Sequence, residues 1–264
     1  MNRTVQELLK ESHHDFESLV SVMQLLRAPG GCPWDREQTH ESIRADFIEE
    51  TYEVIEAIDT SDPVLLREEL GDVLLQVVFH ARISEEAGEF NIDDVIHDIT
   101  AKLIHRHPHV FADVVADTSE QVLTNWEKIK TEEKQRIGLA GSLAAVPPSL
   151  PALMRVQKLV KKAGKAEIIP DSDELSREIE KTGASLAAAV QSGNKTDIAK
   201  NIGSLLFLTA VAAQLSGVDS EKLLGDEGAA FAALLTKNEQ ILGDFSQLCD
   251  DEQLKIAQNA YFFH

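Results

Sequence analysis

From residue 4 to residue 242 apolar side chains return at helical spacing, and nowhere do β-branched residues alternate as a half-buried strand requires. The reading is an all-α fold. Aromatic residues are scarce, at 5%, so Leu, Val, Ile and Ala must fill the spaces between helices. The pattern predicts helices over residues 4–26, 43–58, 64–86, 91–105 and 119–134. It resumes over 152–164, 172–191, 196–217 and 220–242. Asp62 followed by Pro63 reads as an N-cap and a first helical residue, so a new helix starts directly after the one that ends near Ile58. Residues 138–151 (GLAGSLAAVPPSLP) carry three prolines and two glycines. They predict a linker over 138–150, between a domain at 1–137 and another at 151–264.

The two halves echo each other. Glu69-Leu70-Gly71-Asp72-Val73-Leu74-Leu75 is similar to Asn201-Ile202-Gly203-Ser204-Leu205-Leu206-Phe207, and Ile48-Glu49-Glu50-Thr51 to Ile179-Glu180-Lys181-Thr182. A tandem helical duplication is expected. In that register Asn201 and Ser204 stand where the first half has Glu69 and Asp72. Lys181 and Ala184 stand where it has Glu50 and Glu53. The second copy keeps its packing residues and loses its acids, so it is expected to be degenerate.

A chain of 264 residues, 43% of them hydrophobic, can bury one large core or two ordinary ones. Its formal net charge of -20 repels nucleic-acid polymers and anionic membranes. A small anionic substrate is still admitted where cations gather or a divalent metal screens the charge. Cys32 and Cys249 are far apart and form no CxxC pattern, which predicts free thiols in a reducing compartment. The N-terminal residues contain no apolar run of the signal-peptide kind. The longest apolar stretches, 73–79 and 205–213, fall short of the roughly 20 residues a bilayer needs. A cytoplasmic protein without a membrane partner is expected.

The chemistry lies in two acidic pairs, Glu50 with Glu53 and Glu69 with Asp72. Each is spaced i, i+3, so each puts two carboxylates on one side of its helix. On the first helix Ala57 lies between them and Val54 at their border, so the pair edges onto the apolar face. On the second, Val73, Leu74, Leu75, Val77, Val78 and Phe79 follow Asp72. That helix reads as central, with its acids entering a buried zone. If the turn at 59–62 folds the two helices back antiparallel, Glu53 lies level with Glu69, and Glu50 with Asp72. Four clustered carboxylates repel one another unless a cation joins them. An all-oxygen donor set selects a hard ion, Mg²⁺ or Mn²⁺. A di-iron bundle would need Glu-x-x-His on two helices, and the chain offers only Glu11-Ser12-His13-His14. No Walker phosphate loop occurs.

Glu49-Glu50-Thr51-Tyr52-Glu53 followed by Glu69-Leu70-Gly71-Asp72 resembles the EExxE…ExxD signature of the all-α NTP pyrophosphatases. Gly31-Cys32-Pro33-Trp34-Asp35 with Gln38-Thr39-His40, and His107-Pro108-His109-Val110-Phe111, resemble MazG proteins more narrowly. Leu150-Pro151-Ala152-Leu153-Met154-Arg155 does so as well. The resemblance covers the N-terminal half densely and the C-terminal half loosely. It implies tandem MazG-like bundles, the second degenerate, and Mg²⁺-dependent cleavage of a (d)NTP to monophosphate and pyrophosphate. It implies metal ligation by Glu50, Glu53, Glu69 and Asp72, and a homodimer that closes the site. It also places Lys102, Arg106, Trp126 and Lys130 at nucleotide-contacting positions. The spacing is compatible: Lys102 with Arg106, and Trp126 with Lys130, are i, i+4 pairs that can each face one pocket. Glu49, the spare acid, is a candidate for orienting or deprotonating the attacking water.

Other residues carry less. His105, His107 and His109 alternate as strand ligands would, but Pro108 points to a helix end. Cys32 has no partner histidine and reads as a turn residue. Trp34 and Asp35 are expected to pin their loop. The alternative function from this sequence is a non-catalytic helical interaction module whose acidic clusters form the partner surface.

Overall fold

The structure, a computed structural model, describes residues 3–133, 138–164, 166 and 168–242. Among them every regular element is helical, and the chain divides into two compact units, Met1–Lys130 and Thr131–His264.

The first unit contains α1 (Val5–Leu8), α2 (Phe16–Arg27), α3 (Pro33–Glu37), α4 (Arg44–Asp59), α5 (Pro63–Ala87), α6 (Ile92–Arg106) and α7 (Pro108–Phe111), with α8 (Ser119–Glu133) beginning in it. The expected first helix is broken in two. Asp15 caps α2 in a reciprocal box with Ser18, and Arg3 reaches Asp15 at 2.7 Å and Glu11 at 3.0 Å, which holds the intervening turn. A local cap and an ion-pair network outweigh the continuous helical pattern there. The loop expected at 32–35 winds into α3, with Pro33 at its first position.

α5 is the axis of this unit: α4, α2 and α6 all pack against it. Met23, Ile43, Val78 and Phe79 form the buried core, flanked by Leu19, Leu75, Ile83 and Ile92. Arg27 fastens the loop around α3. Its guanidinium is bonded to Glu86 at 2.8 Å, lies over the Phe79 ring at 5.4 Å, and donates to the carbonyls of Asp35 and Gln38. Trp34, expected to pin this loop, is instead exposed. Arg27 does the work because one planar fork can satisfy several acceptors at once. Gly31 is required by close approach, since a Cβ there would stand 2.3 Å from the carbonyl oxygens of Leu25 and Leu26.

The second unit contains α9 (Gly138–Ala144), α10 (Ala152–Gly164), α11 (Ser172–Ser192), α12 (Lys195–Ser216) and α13 (Ser220–Leu242). The stretch expected as linker is therefore partly a helix: α9 packs on α10. α11 and α12 form a hairpin, with left-handed Gly193 closing the first and Asn194 capping the second. Val160, Leu175 and Val211 make the core. Gly203 lies eight residues after Lys195 (203−195), as Gly71 lies eight after Pro63 (71−63), so the two hairpins carry their glycines at one position. Taken whole, α12 is long and apolar enough to cross a membrane, which the shorter 205–213 run had not suggested. Here it packs against α10, α11 and α13. Cys32 is a free thiol; Cys249 lies outside the described residues.

Candidate active site

The α4–α5 hairpin reverses within Thr60, Ser61 and Asp62. Ser61 adopts φ 55°, and the Asp62 carboxylate accepts from the backbone N–H groups of Val64 and Leu65 at 2.9 and 3.1 Å. Glu53 and Glu50 lie six and nine residues before Asp59, and Glu69 and Asp72 six and nine after Pro63. The tight reversal thus sets the four acids at matched depth.

Glu50, Glu69 and Asp72 each bring a carboxylate oxygen within 4.8 Å of the others. Glu53 lies close enough for its charge to act on both Glu50 and Glu69. Burial pushes Glu50 above the ordinary carboxylate range, helped by the charges of Asp72 and Glu53. Burial does the same to Glu69, helped by Glu53 and Asp72. Glu69 is 8% exposed. The charge that acts most on Glu50 is that of Asp72, and on Glu69 that of Glu53, each the residue the antiparallel register placed level with it. Glu49 is exposed on the neighbouring face of α4.

Arg106, the last residue of α6, is buried and sets its guanidinium 5.0 Å from the centre of the Trp126 ring on α8. The Lys130 ammonium lies 4.7 Å from the same ring. Cation–π contacts of this kind contribute about 0.5–2 kcal/mol each. Lys102, one turn before Arg106, is exposed. The residues expected in one site therefore form two sets among the described residues. One is acidic on α4 and α5; the other is cationic and aromatic on α6 and α8. Glu49 and Lys102 lie exposed beside them.

The structure extends the Glu69–Asp72 pair with residues that the sequence reading passed over, Gln76, His80 and Ser84. Glu69, Asp72, Gln76, His80 and Ser84 run along α5 at intervals of three, four, four and four, all of them buried or half-buried. At the far end His40 closes the stripe. Its Nδ1 meets His80 Nδ1 at 2.7 Å, and its Nε2 lies 3.2 Å from Ser84 Oγ. The two imidazoles stack 5° from parallel, with Phe47 edge-on to His80. Burial, and to a smaller extent the neighbouring His40, lower the His80 pKa. The available signal was the continuation of the Glu69–Asp72 spacing through Gln76 and His80.

The donor set suits a hard divalent cation: it is all oxygen and closely gathered, and the charges of its neighbours help to push Glu50 and Glu69 above the ordinary carboxylate range. The MazG nucleotide pyrophosphohydrolase domain matches residues 38–111. The nucleoside triphosphate pyrophosphohydrolase/pyrophosphatase MazG of Thermotoga maritima is 38% identical over 234 residues, covering 89% of each chain. The nucleoside triphosphate pyrophosphohydrolase of Escherichia coli is 40% identical over 235 residues, 87% of this chain and 89% of that one. YabN of Bacillus subtilis, described as uncharacterized, is 50% identical over 149 residues, which are 56% of this chain and 30% of YabN.

Proposed function

The chain belongs to the MazG nucleotide pyrophosphohydrolase family, and from that premise we propose how it works as a nucleoside triphosphate pyrophosphohydrolase. The substrate is a ribo- or deoxyribonucleoside triphosphate of the cytoplasmic pool, cut between its α and β phosphates, in a nucleotide-housekeeping role. The acidic cluster at matched depth on α4 and α5 carries this reading. Glu50, Glu53, Glu69 and Asp72 would hold Mg²⁺, or Mn²⁺ in its place. When bound, that ion neutralises phosphate charge and polarises the phosphoryl group.

The chain's own residues supply the rest. Arg106 is buried and Lys130 half-buried against Trp126, so a triphosphate can draw them onto its oxygens at reduced cost in hydration. Withdrawing either cation uncovers ring surface on which a base can stack. Exposed Lys102 extends to the departing pyrophosphate, whose growing charge it offsets. Glu49, adjacent in sequence to the cluster, orients or deprotonates the attacking water. The second unit is a tandem copy without catalysis, since Asn201, Ser204, Lys181 and Ala184 offer no carboxylate where the first unit has four.

The first test is the product. Incubation with dNTPs and Mg²⁺ is expected to release pyrophosphate and the monophosphate together. Orthophosphate as the sole first product would place the cut elsewhere, and no product at all would favour an interaction module.

Assembly gives the second test. Ile48, Tyr52 and Ile55 form an exposed stripe along α4, and Ile96, Ile99 and Leu103 another along α6. Leu70 and Leu74 are also exposed on α5, the helix expected to be covered all round. Such surface is covered in a homodimer. Light scattering at micromolar concentration should return twice the 29.1 kDa chain mass. A monomer mass would count against it.

A further inference from the structure

Gln76 stands seven residues after Glu69 and four after Asp72 on α5. Seven helical steps return it to within about 20° of Glu69. Helical side chains lean toward the N-terminal end of their helix, which is the end that carries the acids. Gln76 is 7% exposed, and its Oε1 is buried with no hydrogen-bond donor. A buried acceptor left unpaired is destabilising until something supplies a donor. Packing does not demand a polar group there. Leu208 holds the same place in the second hairpin, 13 residues after the helix start (208−195, against 76−63), and packs into that unit's core. That hairpin has Asn201 and Ser204 in place of the acids. The glutamine therefore goes with the acids and not with the hairpin.

We propose that Gln76 is a specificity-determining residue, its side-chain oxygen accepting a hydrogen bond from an N–H or O–H donor on the nucleoside part of the substrate. The inference rests on the acidic hairpin being the triphosphate site. A triphosphate offers acceptors only, so it cannot satisfy this oxygen. A sugar hydroxyl or an exocyclic base amine can, and each is a neutral donor of the kind a lone carbonyl oxygen takes. One turn farther along the stripe come the His80 ring and the Phe47 ring edge-on to it, a surface suited to a nucleoside more than to phosphate. The terminal torsion of a glutamine is broad, so its amide can turn to meet the donor without movement of α5.

Gln76→Met keeps the volume and removes the acceptor. The experiment measures kcat/KM for pyrophosphate release by the full-length wild type and variant. Substrates are the common dNTPs, the ribo- and 3′-deoxy counterparts of the best one, dATP against dITP, and inorganic tripolyphosphate. The wild type should lose roughly tenfold or more on an analogue stripped of one donor. The variant should lose that factor on the parent and nothing on the analogue. Loss in the 3′-deoxy arm, or on the deoxyribonucleotide relative to its ribo counterpart, identifies the sugar, and loss in the amine arm the base. An equal loss on every nucleotide and on tripolyphosphate would assign the glutamine to a water or to packing and overturn the proposal, as would no loss at all. If the variant fails to fold by circular dichroism, the wild type decides alone: discrimination below tenfold in every arm overturns it. A wild type that releases no pyrophosphate from any nucleotide refutes the underlying reading instead.

Discussion

Asp72→Asn is expected to lower pyrophosphate release by about a thousandfold, the scale of losing several kcal/mol of charge stabilisation at the phosphoryl group. Glu53→Gln should do the same. Both exchanges keep side-chain shape, so helical content by circular dichroism should match the wild type. The metal-free variants should melt slightly higher, because each removes one member of a mutually repelling set. Full activity in either variant at ordinary Mg²⁺ would remove the acids from the mechanism. Retention of about half the activity would have a separate meaning: a working second site within residues 131–264, contrary to its lack of carboxylates.

The second large effect is thermal. Mg²⁺ at about 100 times its Kd should add about 2.7 kcal/mol of stability, or roughly 5–15 °C in Tm for a unit of this size. Without metal the same acids give a pH signature. Glu50 and Glu69 have native pKa values above the reference of 4.5. Their favourable contribution is complete below that value and is lost as pH rises through the native pKa. Asp15, Glu11 and Glu86 act in the opposite sense, since hydrogen bonds to Arg3, Ser18 and Arg27, respectively, depress them. Subtraction isolates the cluster. In EDTA, the Tm of Glu50→Gln minus that of the wild type should grow from acid toward neutral pH and collapse when Mg²⁺ is added. A difference that is flat with pH, or one that survives Mg²⁺, would show that these carboxylates are not the metal's ligands.

Much of this was legible in the sequence because it is local. The Asp62–Pro63 restart and the i, i+3 acid pairs are one-dimensional signals, and the hairpin follows from them. The break between α1 and α2 was not legible, because Arg3 stabilises it from twelve residues away. Arg27 was equally hidden: its partners at Asp35, Gln38 and Glu86 meet only once α2, α3 and α5 have packed. Arg106, Trp126 and Lys130 were chosen by resemblance and do touch, but helical spacing within α6 and within α8 could not reveal a contact between the two helices. The His40–His80 pair joins residues forty positions apart, beyond the reach of any periodicity.

The stripe along α5 makes the number of residues between Asp62 and Glu69 as consequential as their identity. The cap fixes where the helix begins, and every later side chain inherits its bearing from that origin at 100° per step. One residue inserted between cap and stripe would swing Glu69, Asp72, Gln76 and His80 together by more than a quarter turn. The hairpin would remain a hairpin, with its chemistry facing away from α4. Substitutions can therefore be absorbed one by one along 63–68, whereas a change of length there is a change of phase, and nothing farther down α5 can correct it.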